Sequence, residues 1–317
     1  MGQCIYNLGE NFVHTDTSAQ YLKLANRLIK EYEFTCNINS WRENPEKCAD
    51  WFKEHVTSSK LCRATARLYR NSLAHFFEQH NMANLGANIR SVDISNTPSR
   101  GEHTSSRKAK SLSQDDIKAL SEYLSNSGSQ NDIFLLHFLW AARVSGLRPS
   151  EWQHAVFENR ILTVKNGKFS QDRANGEYRH LYFTDADHDD AAGIIAAFME
   201  LLQERLKNVP FPTLYDRCRT RLYKVASRLF PRRKLKPSLY SARHQFSADI
   251  KRNLPHEVVA ALMGHASALS AGYHYAHSSK GEDHLSPPIA DPREVETVRN
   301  VEKTIRKDKD KKERAGE

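Results

Sequence analysis

The sequence predicts a mainly α-helical chain of two domains with one small antiparallel β-sheet. Apolar residues recur at helical spacing through most of the 317 residues, and this length is sufficient for two domains with separate cores. Residues 161–164 and 178–183 are short β-prone runs separated by a polar, Gly-containing stretch, which is typical of a hairpin. Residues 91–112 are rich in Ser, Asn, Thr, Pro and Gly between two helical regions, and this composition indicates an interdomain linker.

We place the domain boundaries where the composition changes. A helical N-terminal domain covers residues 1–92, a linker 93–110, a larger domain 111–285 and a charged C-terminal tail 286–317. Ser113 begins a capping-box-like pattern that starts the first helix of the larger domain. The mixed charges of the tail indicate a solvated helix that frays into disorder.

The composition favours a nucleic-acid partner and argues against several other classes. The chain has 47 Lys+Arg and 38 Asp+Glu, a net charge of +9, and such an excess favours a polyanionic partner. The five cysteines include no close pair, so we expect neither a zinc site nor a disulfide framework. No apolar run reaches membrane length, and the N-terminus lacks a signal-peptide pattern. We therefore predict a soluble cytoplasmic protein with no metal and no cofactor.

Rows of basic residues at helical spacing are the candidate DNA-contacting surfaces. One row lies on the third helix of the N-terminal domain, and another lies beside the apolar stripe of a helix at about 213–229. A merely solvated surface is the alternative interpretation, but the first row lacks interleaved acids and the second adjoins a core-facing stripe. With the basic end of the linker and one hairpin lysine, the predicted DNA-binding residues are Arg63, Arg67, Arg70, Arg107, Lys108, Lys110, Lys165, Arg217, Arg221, Lys224 and Arg228.

A turn between two helical stretches carries the first candidate catalytic residue. Gly146 ends an apolar helix and Pro149 suits the first turn of the next, so Arg148 is held at a rigid junction. Its guanidinium offers a five-donor fork to a phosphate. A structural salt bridge with Glu151 is the alternative, and the turn alone does not decide between them.

Four further segments follow along the chain, and each bears a side chain suited to phosphate chemistry. They are the hairpin lysines Lys165 and Lys168, then Arg243 at a helix start, His265 at a helix end, and Tyr275. Two arginines and a histidine can stabilise the charge of a pentacoordinate phosphate, and a lysine can protonate a departing 5′ oxygen. A tyrosine hydroxyl can attack to give a covalent intermediate without metal or nucleotide cofactor. Taken singly, the histidine is more often a packed residue at a helix end, and the tyrosine a core or surface aromatic.

In this order, the segments resemble the boxes of the tyrosine recombinase (phage integrase) family. Ser145–Trp152 is similar to the box with the first arginine, and Tyr240–Phe246 is similar to box II. Met263–His265 resembles the Leu-Gly-His segment, and Tyr275–His277 the segment with the nucleophilic tyrosine. The resemblance spans about 111–280, while the N-terminal helices fit the family's SAM-like core-binding domain by position and character only.

The resemblance implies a site-specific DNA recombinase or integrase with no cofactor. Such an enzyme is a two-domain, C-shaped clamp around double-stranded DNA, a monomer when free and a homotetramer in the synaptic complex, in a bacterial, mobile-element or phage context. One alternative is a regulatory or architectural DNA-binding protein that has lost strand exchange on the same scaffold. Another is a relaxing or end-resolving enzyme that uses the same tyrosine chemistry.

The resemblance also implies roles for the residues at the phosphate. Arg148 and Arg243 would clamp the scissile phosphate, and His265 would assist them. Tyr275 would attack to form a 3′-phosphotyrosyl link and release a 5′-hydroxyl.

Further roles follow from the same resemblance. Lys168 would be the general acid, with Lys165 as the alternative because the register of a hairpin is easily misread from sequence. Glu151 would support the first arginine, and His244 would be a structural hydrogen-bonding residue.

The chain departs from the family pattern at two positions. Tyr240 occupies the place of the box II histidine, and it can bind a phosphate but cannot act as an imidazolium. The usual position of the nucleophile, nine residues beyond the Gly-His histidine, holds His274 here, with Tyr273 and Tyr275 on either side. The Tyr-Ala-His sequence favours Tyr275.

Overall fold

Two compact units make up the chain. The computed structural model describes residues 12–58, 61–97, 109–167, 169, 174–269, 278–282 and 286–299. The chain divides into an N-terminal unit, Met1–His103, and a C-terminal unit, Thr104–Glu317. This division lies inside the segment predicted as a linker. No helix among the described residues is long and apolar enough to cross a membrane.

The N-terminal unit is a helical bundle with its own core. Its α-helices are α1 Phe12–Cys36, α2 Lys47–Ser58, α3 Arg63–Gln79 and α4 Ala83–Ser91, with a short 3₁₀ helix at Trp41–Glu43. The core contains large apolar side chains such as Leu28, Phe52 and Phe77, which are fully buried. Ile94, inside the predicted linker, is buried in the same core, so the packed part of this unit extends beyond residue 92.

The C-terminal unit contains most of the helices and the sheet. Its α-helices are α5 Gln114–Ser125, α6 Gln130–Ser145, α7 Asp189–Leu206, α8 Phe211–Leu229, α9 Leu239–Ile250, α10 His256–Met263 and α11 Pro292–Thr297. Ser113 caps α5 as predicted, since its hydroxyl accepts a hydrogen bond from the Asp116 backbone N–H at 3.2 Å. Phe138, Trp152 and Phe198 pack together in the core, and their ring centroids lie 4.9 to 6.5 Å apart. This aromatic packing fixes α6 and the turn that follows it.

A four-stranded antiparallel sheet in the order β1-β2-β3-β4 completes this unit. The strands are β1 Val156–Glu158, β2 Ile161–Lys165, β3 Tyr178–Tyr182 and β4 Ile289–Ala290. The predicted hairpin is β2–β3, in which Leu162 pairs with Leu181. Both leucines are fully buried, so this face of the sheet covers the core. The fold class predicted from the sequence, mainly helical with one small antiparallel sheet, is confirmed.

The beginning of the predicted tail is part of this unit. Residues 289–290 form β4 and pair with β3, and Asp291 caps α11 by accepting the Arg293 backbone N–H at 2.8 Å. The Arg299 backbone N–H donates to the Ala266 carbonyl at 3.0 Å. Residues 286–299 are therefore packed structure where the sequence predicted a solvated tail. A two-residue strand has no periodicity of its own, and only its pairing with β3 reveals it.

Candidate active site

The turn after α6 is built around a glycine at a position where any side chain would be strained. Gly146 adopts the left-handed conformation (φ 65°), and a Cβ there would lie 2.1 Å from the Phe246 ring. Pro149 then begins a 3₁₀ helix, Pro149–His154. Arg148 is thus fixed between two rigid elements, as the sequence predicted.

A single buried carboxylate holds three arginines. Glu151 Oε1 lies 2.5 Å from Arg148 Nη1, and Glu151 Oε2 lies 2.7 Å from Arg179 Nη2. Arg243 Nη1 is 3.8 Å from the same Oε2. The salt bridge considered as the alternative for Arg148 therefore exists, and it belongs to a group that we call the arginine cluster: Arg148, Arg179 and Arg243 around Glu151.

The arginine cluster has an excess of positive charge. Burial alone would raise the pKa of Glu151, but the charges of Arg179, Arg148 and Arg243 together hold that pKa well below its usual range. Glu151 is therefore ionised at neutral pH, and one negative charge faces three positive ones. A phosphate group would offset the remaining charge and supply acceptors for the guanidinium donors.

Arg243 is positioned by the carboxyl ends of two helices. Its Nη1 donates to the Gly146 carbonyl at 2.6 Å, at the end of α6, and its Nη2 donates to the Met263 carbonyl at 2.7 Å, at the end of α10. Helix C-termini carry partial negative charge, which favours a guanidinium there. Arg243 is wholly buried whereas Arg148 is 8% exposed, so an anion from solvent meets Arg148 first.

His265 lies directly beside Arg243 in a neutral form. Gly264 ends α10 in the left-handed conformation (φ 64°), and His265 follows with its Nε2 3.3 Å from Arg243 Nη2. Burial, reinforced by the positive charges of Arg243, Arg148 and Arg179, holds the pKa of His265 well below its ordinary value. A neutral imidazole can accept the hydrogen bond from Arg243, and a phosphate nearby would favour its protonation.

Arg179 is the residue of this site that sequence reasoning missed. It lies on β3 and donates through Nε to the Leu262 carbonyl at 3.1 Å and through Nη1 to Asn166 Oδ1. A signal for it exists in the sequence: within Tyr178–Tyr182, alternation places Arg179 on the same face as the core residue Leu181. A charged residue at an inward-facing strand position requires a partner, which is here Glu151.

Several predicted site residues lie outside the described residues or away from the cluster. Lys168, Tyr275, Arg107 and Lys108 are outside the described residues. Lys165 is described, and its Nζ lies 3.2 Å from Glu177 Oε1 and 5.9 Å from the Tyr178 ring centroid, so it is engaged on the hairpin.

The box II segment forms the start of α9. Tyr240 is half-buried, and its ring centroid lies 5.2 Å from that of His244. Burial, together with the charges of Lys110, Arg243 and Lys251, lowers the pKa of His244 to about 4. His244 is therefore neutral at pH 7, and its structural hydrogen-bonding role stays a prediction.

The basic row on α3 is partly used for local structure. Arg63 Nη2 donates to the carbonyls of Ser95 and Thr97, the latter at 3.3 Å, and Arg70 Nη1 donates to the Val92 carbonyl at 3.0 Å. Both arginines hold the chain that leaves α4. Arg67 is exposed and remains a predicted DNA contact.

The basic row on α8 is similarly divided. Arg221 Nη2 lies 2.6 Å from Asp132 Oδ2, and Arg228 Nη1 donates to the Tyr123 hydroxyl at 3.2 Å. Arg217 and Lys224 are exposed, as is Lys110 at the end of the predicted linker. These three stay predicted DNA contacts.

Among the described residues, His180, Asp291 and Glu294 have donor atoms close enough to hold a metal ion. Their atoms already bond to one another and to their neighbours: His180 Nδ1 lies 2.7 Å from Glu294 Oε1, and the Tyr182 hydroxyl donates to Asp291 Oδ2 at 3.0 Å. We interpret this group as the polar contact that joins β4 and α11 to β3.

Comparison with known proteins adds information at the level of the fold. No protein-family model matches the chain, and no curated protein matches it significantly. Among solved structures, a lambda integrase dimer bound to a COC′ core site is similar, with 14% identity, a TM-score of 0.53, and coverage of 88% of this chain and 76% of that one. A lambda integrase(75–356) dimer bound to the same kind of site has 15% identity, a TM-score of 0.52, and coverage of 88% and 94%. The resemblance inferred from the sequence is thus confirmed for the architecture, and this chain has the fold of the tyrosine recombinases, as represented by lambda integrase.

Proposed function

We propose that this chain is a site-specific DNA recombinase or integrase that cleaves and rejoins strands through a 3′-phosphotyrosyl intermediate. Double-stranded DNA is its substrate, and neither metal nor cofactor takes part. The N-terminal unit serves as a core-binding domain, and a homotetramer assembles on two sites.

The observation that carries this proposal is the arginine cluster. Arg148 and Arg243 come from segments 95 residues apart in sequence, yet both lie against Glu151, and His265 contacts Arg243. This buried group has more positive than negative charge. It is suited to the charge that builds on the nonbridging oxygens of a phosphodiester during attack.

In the proposed reaction, the phenolic oxygen of Tyr275 bonds to phosphorus as the bond from phosphorus to O5′ breaks. Lys168 gives its proton to O5′, and the phenolic proton leaves to solvent. The number of phosphoester bonds is unchanged, so attack by a 5′-hydroxyl on the phosphotyrosine reseals a strand without an external energy source. Arg148, Arg243 and His265 stabilise the pentacoordinate phosphate in both directions.

A library of nicked duplexes with a randomised core tests the proposal. A nick beside the scissile phosphate lets the short fragment that bears the released 5′-hydroxyl diffuse away, and the covalent adduct is trapped. We expect an adduct that survives SDS, forms in the presence of EDTA, and disappears in Tyr275→Phe. The matched control, Tyr273→Phe, should keep it, and peptide mapping should place the DNA on Tyr275.

Two other outcomes have clear meanings. DNA binding with no adduct on any member of the library would leave a binding protein on this scaffold, for which Tyr240 in the histidine position is the motivating observation. An adduct that persists in Tyr275→Phe would show that another residue is the nucleophile.

A further inference from the structure

A cavity of about 330 Å³ lies between the beginning of α6, the end of α7 and the first half of α8. This volume is within the range of cavities that bind small organic ligands. The residues that line it include none of the arginine cluster, so the cavity is separate from the proposed active site.

The buried side of the cavity is apolar. Phe134, Leu214 and Cys218 line it, and all three side chains are buried members of the core. Burial raises the pKa of the Cys218 thiol to about 12, although the charge of Arg205 opposes this shift, so the thiol is uncharged at neutral pH. A ring that packs here would remove apolar surface from water.

The charged residues that line the cavity are three arginines and one aspartate. Arg221 and Asp132 offset each other, because Arg221 Nε and Nη2 lie 2.8 and 2.6 Å from the two carboxylate oxygens of Asp132. Three positive charges against one negative charge leave an excess of two, which belongs to Arg205 and Arg217. A negatively charged ligand would offset part of this excess and accept hydrogen bonds from the guanidinium groups.

Arg205 is held in place for such a contact. Its Nη1 donates to Asn131 Oδ1 at 2.9 Å, and its Nη2 donates to the Gln130 carbonyl at 3.0 Å. Its Cζ lies 5.8 Å from the Phe134 ring centroid. Both hydrogen-bond partners are neutral, and a guanidinium has five donors, so charge and donors remain for a carboxylate. Because Arg205 is already fixed, binding costs less conformational entropy.

Arg217 lies on the open side of the cavity. It is exposed, one turn before Arg221 on α8, and the described part of the chain provides no ion pair for it. Its guanidinium can therefore turn to a ligand without breaking an existing salt bridge.

We propose that this cavity binds a small aromatic carboxylate. The ring packs against Phe134, Leu214 and Cys218, and the carboxylate binds Arg205 and Arg217. An aromatic ring suits the site because it can stack on flat groups, here the Phe134 ring and the guanidinium beside it. A simple anion leaves the apolar side in contact with water, and an uncharged ring leaves the two positive charges unmatched. This inference does not depend on the proposed function.

Three ligands test the inference with the full chain. Naphthoate has both the rings and the carboxylate, naphthylmethanol has the rings without the charge, and acetate has the carboxylate without the rings. Isothermal titration calorimetry in low salt measures the affinity of each. We expect naphthoate to bind with one-to-one stoichiometry, and we expect each of the other two to bind at least about tenfold more weakly, because each lacks one of the two contacts.

Four variants locate the ligand. Arg205→Gln and Arg217→Ala should each weaken naphthoate binding by about tenfold. The matched controls are Lys207→Ala, at the end of α7, and Arg219→Ala, on α8. Both residues are exposed cations that do not line the cavity, so these two variants should bind naphthoate as the wild type does. If Arg205→Gln fails to fold, Arg217→Ala, at an exposed position, still provides the test.

Arg148→Ala is a further control, because the arginine cluster is the other place where an anion could bind. It should retain wild-type affinity for naphthoate. The inference is overturned if naphthoate shows no saturable binding at millimolar concentration, or if acetate or naphthylmethanol binds as tightly. Wild-type affinity in Arg217→Ala, or loss of binding in Arg148→Ala, would overturn it as well.

Discussion

Two clusters of charged side chains in the C-terminal unit have opposite compositions. In the arginine cluster, three guanidinium groups share the carboxylate of Glu151. In the second, which we call the carboxylate cluster, Arg143 on α6 is shared by Asp249 on α9 and by Glu282, at 3.5 Å from Glu282 Oε2. The first has an excess of positive charge and the second an excess of negative charge.

The surroundings shift the pKa of a carboxylate in opposite directions in the two clusters. Burial raises the pKa of Asp249, and Arg143 and the hydrogen bonds from Gln245 and Glu282 only partly offset it. For Glu151, by contrast, the arginines outweigh burial and the pKa falls well below its usual range. The fold thus strongly favours the ionised form of Glu151 but not that of Asp249.

The carboxylate cluster has a structural task that its contacts explain. Asp249 Oδ1 accepts hydrogen bonds from Gln245 Nε2 and the Glu282 N–H, both at 2.9 Å. Gln245 Nε2 also donates to the Lys280 carbonyl at 2.6 Å. This cluster ties residues 280–282 to α9, whereas the arginine cluster has the charge to receive an anion. A cluster of charged side chains alone therefore does not identify a functional site, but the sign of its excess charge does suggest the ligand.

The largest expected effect comes from neutralising the two carboxylates. Glu151→Gln leaves three buried guanidinium groups without their anion, and we expect it to lower the free energy of unfolding by about 3–5 kcal/mol. Asp249→Asn removes a charge that the fold favours little, and its cost should be about 1–2 kcal/mol. Urea denaturation followed by circular dichroism measures both. Equal losses would show that the clusters do not differ as their pKa shifts indicate.

The second effect concerns catalysis. Arg148→Ala should slow adduct formation on the nicked duplex by about 10²–10³-fold, the range for loss of one donor to a developing oxyanion. Asp249→Asn, measured below its melting temperature, should retain a rate within about threefold of wild type. A larger loss in Asp249→Asn than in Arg148→Ala would reverse the assignment of the two clusters.

The site residues that lie within short sequence motifs could be predicted from the sequence. Gly146, Arg148 and Pro149 form one local turn, and Arg243 and His265 each stand in a segment with its own helix signal. The alternation of β3 places Arg179 on the inward face, but its partners, Glu151 and the Leu262 carbonyl, come from distant parts of the sequence, so its place in the site could not be assigned.

The basic rows on α3 and α8 show that the sequence alone does not reveal which surface residues have partners. Periodicity placed Arg63 and Arg221 on faces with their neighbours, but each has a partner that only the tertiary structure brings near, Thr97 for Arg63 and Asp132 for Arg221. The helices and the hairpin were predictable because their signals are local. β4 was not, because its pairing with β3 spans more than 100 residues of sequence.

A third, smaller effect is the pH dependence of stability in the arginine cluster. The folded chain keeps His265 neutral, whereas the unfolded chain binds a proton there below about pH 6.5. The unfolded state then holds more protons, so the free energy of unfolding should fall as the pH decreases from 7.5 to 5.5, by at most about 1.4 kcal/mol per pH unit from this residue. His265→Gln should reduce this slope, while the part that comes from His244, whose pKa is also lowered, should remain. The control variant His256→Gln, at an exposed histidine, should retain the whole slope.

The smallest effects are expected on the surface of α8. Arg217→Ala and Lys224→Ala should each weaken binding of a fluorescein-labelled duplex severalfold and reduce the slope of log affinity against log salt by about 0.9. Arg221→Ala should mainly lower the melting temperature, because it leaves buried Asp132 without its ion pair. Fluorescence anisotropy between 50 and 200 mM salt measures the slopes. If the slopes of Arg217→Ala and Lys224→Ala equal that of the wild type, α8 does not contact the DNA.

The most direct test of the central claim is a change in the charge of the scissile phosphate itself. A methylphosphonate at that position lacks the negative charge that we propose Arg148 neutralises. The measured quantity is the ratio of wild-type to Arg148→Ala adduct-formation rates on phosphate and on methylphosphonate duplexes. We predict a ratio of about 10²–10³ on phosphate that falls below about 10 on methylphosphonate. The same ratio on both duplexes would contradict the assignment of the arginine cluster as the phosphate-binding site.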